Sequence, residues 1–128
     1  MNGMALWIGR GLTALFTLFM LGGSVAPKLA NAKVAQDAMM QLGWDTRFIP
    51  IIGAMELTFV LMHLHPRTSI LGAVLMTALL GGGIAAQLRA GQPLVTHVLF
   101  GVYLGLAMWG GIWLRDPLLR GLLPVRLG

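Results

Sequence analysis

The chain has 128 residues, of which 57% are hydrophobic and 10% charged, against about 25% charged in soluble domains; a water-soluble globular protein of this size is excluded. The net charge of +5 comes from nine basic residues spread over chain ends and loops, as membrane-flanking charges are, and does not indicate nucleic-acid binding. With no cysteine there is no disulfide, thiolate nucleophile or cysteine-ligated metal, and either redox compartment is open to it.

The first apolar segment covers about residues 4–25, with Arg10 near its start and no charge from Gly11 to Pro27. Ala30-Asn31-Ala32 resembles a signal-peptide cleavage site, but the positive region before the apolar run is thin, and a retained first helix is expected. Arg10 then lies within snorkelling reach of lipid headgroups. Residues 32–42 lack Gly and Pro, and Val34, Ala35, Ala38, Met39 and Leu42 recur at helical spacing. They predict a short interfacial helix with Asn31 as its N-cap, Gly43 as its stop, and Lys28, Lys33 and Trp44 as headgroup anchors.

A second apolar helix is expected over about 48–65, with Pro50 in its first turn, ending at the turn around Pro66. The third covers 69–88 and contains Gly81-Gly82-Gly83, which marks either a tight crossing or room for a ligand. The fourth covers about 94–114, carries Gly101 and Gly105 four apart, and ends with Trp109 and Trp113 as an interfacial belt. The basic tail after Arg115 has leucines able to lie on the membrane surface. The expected fold is therefore all-α: one membrane domain, a bundle of four transmembrane helices with a short interfacial helix between the first and second. Arg10, Arg67, Arg115, Arg120 and Arg126 fall on one side and Lys28, Lys33, Arg47 and Arg89 on the other. The balance favours both termini on the cytoplasmic side of a bacterial inner membrane.

Glu56 is the only acidic residue inside a long apolar run. It shares a broad helical face with Ile49, Gly53, Val60 and His63, a face that should point into the bundle. A carboxylate at that depth needs a partner, a proton or a function. Arg10, entering from the opposite side, is one candidate partner, and Thr13, Thr17, Thr77 and Tyr103 supply hydroxyls at middle depths. A structural clamp and a ligand-facing acid are both open readings. His63 and His65, read as membrane-surface residues, point apart, so no metal site is expected there. Gln87, Arg89 and His97 form a second polar group at one membrane face, fit for a headgroup or the polar end of a lipophilic molecule or for plain interfacial hydrogen bonding. No nucleotide loop, serine elbow or paired carboxylate is visible.

Gln41-Leu-Gly-Trp44, Ile51-Ile-Gly-Ala-Met-Glu-Leu57 and Leu71-Gly-Ala73 are followed by Gly82-Gly-Ile-Ala-Ala-Gln-Leu-Arg89 with Gly91. After these come His97-Val-Leu-Phe-Gly-Val-Tyr-Leu-Gly105 and Trp109-Gly-Gly-Ile-Trp-Leu-Arg-Asp116, then Leu119-Arg120 and Leu123-Pro124. With these segments the chain resembles the DoxX-like family of small four-helix membrane proteins over nearly its whole length. The resemblance implies that the family's helix-two acid falls on Glu56, its arginine closing helix three on Arg89, and its histidine early in helix four on His97. Many members have a histidine where this chain has Gln87, which retains a hydrogen bond but no proton transfer or metal binding. Links of some relatives to quinone-dependent sulfur oxidation and membrane redox complexes imply a quinone-like partner.

Three functions remain open. One is a binding or redox-accessory subunit holding a quinone- or isoprenoid-like molecule, with Arg10, Glu56, Tyr103, Gln87, Arg89 and His97 as ligand contacts. Another is an enzyme on such a substrate with Glu56 as catalytic acid or base. The third is a structural subunit, homo-oligomeric through its glycine faces. No intrinsic cofactor is evident from sequence motifs. A transporter fits less well, because no inverted repeat or broken central helix pair is visible.

Overall fold

The structure, a computed structural model, describes residues 3–126 and is all-helical over that range. Among the described residues four helices are long and apolar enough to cross a membrane: α1 (Gly3–Leu29), α3 (Thr46–Leu64), α4 (Ser69–Arg89) and α5 (Leu94–Arg115). Two short helices accompany them, α2 (Lys33–Gln41) and α6 (Pro117–Leu122). Large apolar side chains such as Leu15, Leu18, Leu61 and Leu106 point outward, as lipid-facing positions do when backbone groups are satisfied within each helix.

Helix α1 runs four residues past the expected end because Met20–Val25 is π-helical. The buried stripe Gly9, Thr13, Phe16, Met20 keeps the α-helical period; the next buried residue, Val25, comes five residues later. That one-residue slip is what a π turn inserts. Pro27 lies in the first turn of the α-helical piece that follows, so its missing N–H falls at the junction with the π segment, where the hydrogen-bond register changes. The helix therefore continues to Leu29 and carries Ser24 and Lys28 alongside α3.

On α3 the five residues expected on one face, Ile49, Gly53, Glu56, Val60 and His63, are the five buried ones. His63 is thus buried in the bundle at 1% exposure, in the last turn of α3; His65 is exposed in the turn that follows, where its Nδ1 accepts from the Arg67 amide. The main core joins Phe16 and Met20 of α1, Val60 of α3, Ala73 and Met76 of α4, and Met108 and Ile112 of α5. Leu119 of α6 also enters this core, so the tail does not simply lie on a surface. Asp116 caps α6 by accepting from the Leu118 amide at 3.0 Å, and the Trp113 indole donates to the Leu123 carbonyl at 2.9 Å. A smaller cluster of Ala35, Met39 and Ile49 seats α2 against the start of α3.

The tightest crossings lie at the end of the bundle that holds the start of α1 and the end of α5. A Cβ on Gly9 would fall 2.8 Å from the Gly111 carbonyl oxygen, and one on Gly72 would collide with the His63 backbone. At Gly81, Gly82, Gly83 and Gly105 a Cβ would meet nothing within 4 Å, so the glycine triplet makes room and forms no crossing; Gly101 alone of the spaced pair is packed, against Ile84. The Trp109 indole donates to Thr77 Oγ1 at 2.8 Å, tying α5 to α4. Asn31 does not cap α2. It adopts a left-handed conformation (φ 54°), and Ala32 takes the cap position; Gly43, at φ 80°, ends the helix as expected.

Candidate functional site

The partner of Glu56 is Lys28. Lys28 Nζ lies 3.1 Å from Glu56 Oε1 and 3.4 Å from Oε2. Ser24, one turn before Lys28 on α1, closes a triangle. Its hydroxyl donates to Glu56 Oε2 at 2.8 Å and accepts from Lys28 Nζ at 2.6 Å. Both carboxylate oxygens are therefore engaged by charged or hydroxyl donors, the stronger class of hydrogen bond. The two charged side chains retain 17% and 10% exposure, so the pair is largely withdrawn from solvent.

Three local features build this triangle. The π segment turns Ser24 and Lys28 toward α3. Gly53, one turn before Glu56, admits the lysine stem: a Cβ there would fall 2.9 Å from Lys28 Cβ and 3.3 Å from Leu29 Cδ2. Helical periodicity sets Glu56 on the buried face of α3.

Arg10 does not meet Glu56. It is exposed, with its guanidinium 5.1 Å from the centroid of the Trp7 ring. Eighteen residues separate it from Lys28, about 27 Å along a helix, so it belongs to the opposite end of the bundle. The threonines do not reach Glu56 either. Thr13 accepts from Arg115 Nη2 at 3.1 Å, Thr77 donates to the Ala73 carbonyl at 2.7 Å, and the buried Thr17 Oγ1 has no hydrogen-bond partner among the described residues.

The triangle opens into a cleft of about 620 Å³. Val34 and Ala38 of α2 with Leu42 just after it form one wall, Ile52 and Met55 of α3 another, and Gly82, Gly83 and Ile84 of α4 with Phe100 and Leu104 of α5 the remainder. The lining is mostly apolar; its polar members are Ser24, Lys28 and Glu56 with Gln87 and His97. Volume and lining both fall in the range of small-molecule sites. Gln87 Oε1 is buried without a hydrogen-bond partner among the described residues, an acceptor left over for a donor in the cleft. His97 Nδ1 is engaged by the neighbouring Thr96 hydroxyl at 2.8 Å.

The fold thus joins three of the expected site residues, Glu56, Gln87 and His97, around one space. Arg89 lies apart, lining a smaller recess of about 390 Å³ that shares Leu42, Trp44, Gly82 and Ala86 with the cleft. Tyr103 lines neither; its hydroxyl donates to the Val95 carbonyl at 2.9 Å. Ser24 and Lys28 were not expected at the site. Their i, i+4 spacing beside Gly22-Gly23 was the available signal, masked because the first helix was expected to end near Val25 and Lys28 to be a headgroup anchor.

Together the fold and site define a small multi-helix membrane protein with an internal ion pair facing an apolar cleft. The model of the DoxX-like family matches residues 11–111, most of the chain, and the chain belongs to that family. No curated protein and no solved structure matches it.

Proposed function

We propose that this protein is a membrane binding or redox-accessory subunit that holds a lipophilic molecule, quinone- or isoprenoid-like, in the cleft between α2, α3, α4 and α5. The observation that carries this reading is the pairing of one mostly apolar space with two separate polar groups, the Ser24–Lys28–Glu56 triangle and the unpartnered Gln87 amide oxygen. An apolar body fills the cleft while a ligand carbonyl accepts from Lys28 or Ser24, or a ligand hydroxyl donates to Gln87 Oε1. In this reading all four long helices span the bilayer. The short helix α2 lies at the interface and roofs the cleft, and both termini face the cytoplasm. Arg10 and Tyr103, expected as ligand contacts, are left out, and Arg89 serves the ligand only from the adjoining recess.

Mass spectrometry of lipophilic molecules extracted from the purified protein tests the reading. Wild type should retain one species near stoichiometric amount, and Gly83→Leu, which fills the cleft, should release it. A wild-type protein that retains nothing and takes up no added lipophile saturably would overturn it.

A second reading, an enzyme with Glu56 as acid or base, draws on the hydroxyl and ammonium already bonded to that carboxylate. Turnover of a lipophilic substrate that survives Glu56→Gln unchanged sinks this second reading and leaves the first standing.

A further inference from the structure

Lys28 faces the cleft as a primary amine, and the surroundings of its Nζ exceed what a clamp between helices requires. A clamp between helices offsets its desolvation by its own geometry and hydrogen bonds and needs no open space beside it. This one lines an open space of about 620 Å³, with a hydroxyl at 2.6 Å and a carboxylate at 3.1 Å from the same nitrogen. Nucleophile, proton acceptor and a hydroxyl in contact with both are the parts that amine–carbonyl condensation needs.

We propose that Lys28 forms an imine with a long-chain lipophilic aldehyde bound in the cleft. The inference rests on the cleft being a lipophile site and adds a covalent chemistry to it. In the first step the Lys28 ammonium gives a proton to Glu56 Oε1, its nearest acceptor. The freed nitrogen lone pair forms a bond to the aldehyde carbon, and the C=O π pair moves to oxygen. Ser24, whose bond to Glu56 Oε2 weakens once the carboxylate is neutralised, turns its hydroxyl toward that oxygen. The oxygen collects the two protons remaining on nitrogen and leaves as water while the C=N bond forms. The sum is Lys–NH3⁺, Glu–COO⁻ and R–CHO going to Lys–N=CH–R, Glu–COOH and H2O, with no change of oxidation state. Return of the Glu56 proton to the imine nitrogen would leave an iminium beside its counter-ion. An aldehyde is favoured over a ketone because its carbonyl carbon is more electrophilic and less hindered.

The chain supplies its own control, since its only other lysine, Lys33, is exposed on α2. Full-length protein in lipid nanodiscs is incubated with hexadecanal or with propanal, reduced with borohydride, and mapped by peptide mass. With hexadecanal, reduced adduct should accumulate on Lys28 at least about tenfold faster than on Lys33, because the cleft holds the carbonyl at the amine. With propanal, which gains nothing from the cleft, the order should reverse. Lys28→Arg should abolish the hexadecanal adduct at position 28 and leave Lys33 labelling as in wild type, with unchanged gel-filtration elution as the check on folding. Equal or preferential labelling of Lys33 by hexadecanal overturns the proposal. Hexadecanol, which cannot condense, separates this failure from that of the cleft reading. Saturable hexadecanol binding without a Lys28 adduct removes the imine alone. Absence of hexadecanol binding together with absence of adduct removes both.

Discussion

The two ends of the bundle use the same residue types for opposite purposes. At the end shared by the start of α1 and the end of α5, Gly9, Gly72 and Gly111 bring backbones into contact. The polar groups there are packed in: His63 Nδ1 donates to the Ser69 carbonyl at 3.1 Å, and Arg115 donates through Nε to the Gly111 carbonyl at 3.1 Å and through Nη2 to Thr13 Oγ1 at 3.1 Å. Phe16 packs edge-on against the His63 ring at a centroid distance of 5.8 Å. At the other end Gly82 and Gly83 touch nothing, and the polar groups bond to one another across helices while facing open space. One end is closed by glycine and locked by buried polar groups. The other is held open by glycine, with its polar groups available. Glycine and charge in apolar helices therefore do not mark function by themselves; what their neighbours leave empty does.

The largest expected effect comes from splitting the ion pair at the open end. Glu56→Ala strands a largely buried ammonium and Lys28→Met a largely buried carboxylate, and each should destabilise by about 3–5 kcal/mol. The double variant, Lys28→Met with Glu56→Leu, removes both charges and should recover most of that loss, because apolar replacement of a buried pair is often neutral or better. Thermal unfolding in detergent measures all three. A double variant that recovers stability yet retains no lipophile would separate the holding of helices from the holding of ligand. If the single variants were no less stable than wild type, the pair would contribute nothing to the fold, and the contrast drawn here would lose its energetic basis.

At the closed end the expected effect is smaller but requires no charge. Gly72→Ala drives a methyl into the His63 backbone, and Gly111→Val drives one toward Thr13 Oγ1 at 2.5 Å and the Gly9 carbonyl at 3.1 Å. Overpacking of this kind costs about 1–3 kcal/mol, more where backbone must move. Both should lower the unfolding temperature while the folded fraction still binds its lipophile. Loss of binding without loss of stability would show that the closed end takes part in the site.

Much of this was legible in the sequence. The long apolar runs follow from the hydropathy pattern along the chain, and the buried face of α3 from a 3.6-residue period whose polar members are Glu56 and His63. The partner of Glu56 was not legible, because it depends on the level at which two antiparallel helices face each other. Ending α1 at Val25 rather than Leu29 misplaces that level by about 6 Å. The π turn that permits the longer helix has no side-chain signature beyond Gly22-Gly23. Lys28, near a helix end, is indistinguishable in sequence from a headgroup anchor until Gly53 is seen to admit its stem. The glycine triplet had two readings for a similar reason: a small residue permits contact and permits space, and only the neighbouring helix decides between them.

Arg10 and Lys28 give a test of that register. Both are basic residues on α1, and sequence alone offered Arg10 as the partner. Arg10→Gln should change stability by no more than about 0.5 kcal/mol, as exposed substitutions do, and leave lipophile retention as in wild type. A loss comparable to that of Lys28→Met would mean that α1 sits deeper against α3 than the structure has it.

The smallest expected effect on stability is at Gly83. A Cβ there meets nothing within 4 Å and Gly83 lines the open cleft, so Gly83→Leu should leave the unfolding temperature within the range of surface substitutions, about 0.5 kcal/mol. Its effect on binding should be the reverse, since an isobutyl group takes space that a ligand body would occupy. Gly105→Leu is the matched control, also open within 4 Å but absent from the cleft lining, and should alter neither property. If the two variants retain lipophile equally well, the empty space beside the triplet is not where the molecule is held. The open end would then differ from the closed end in packing alone.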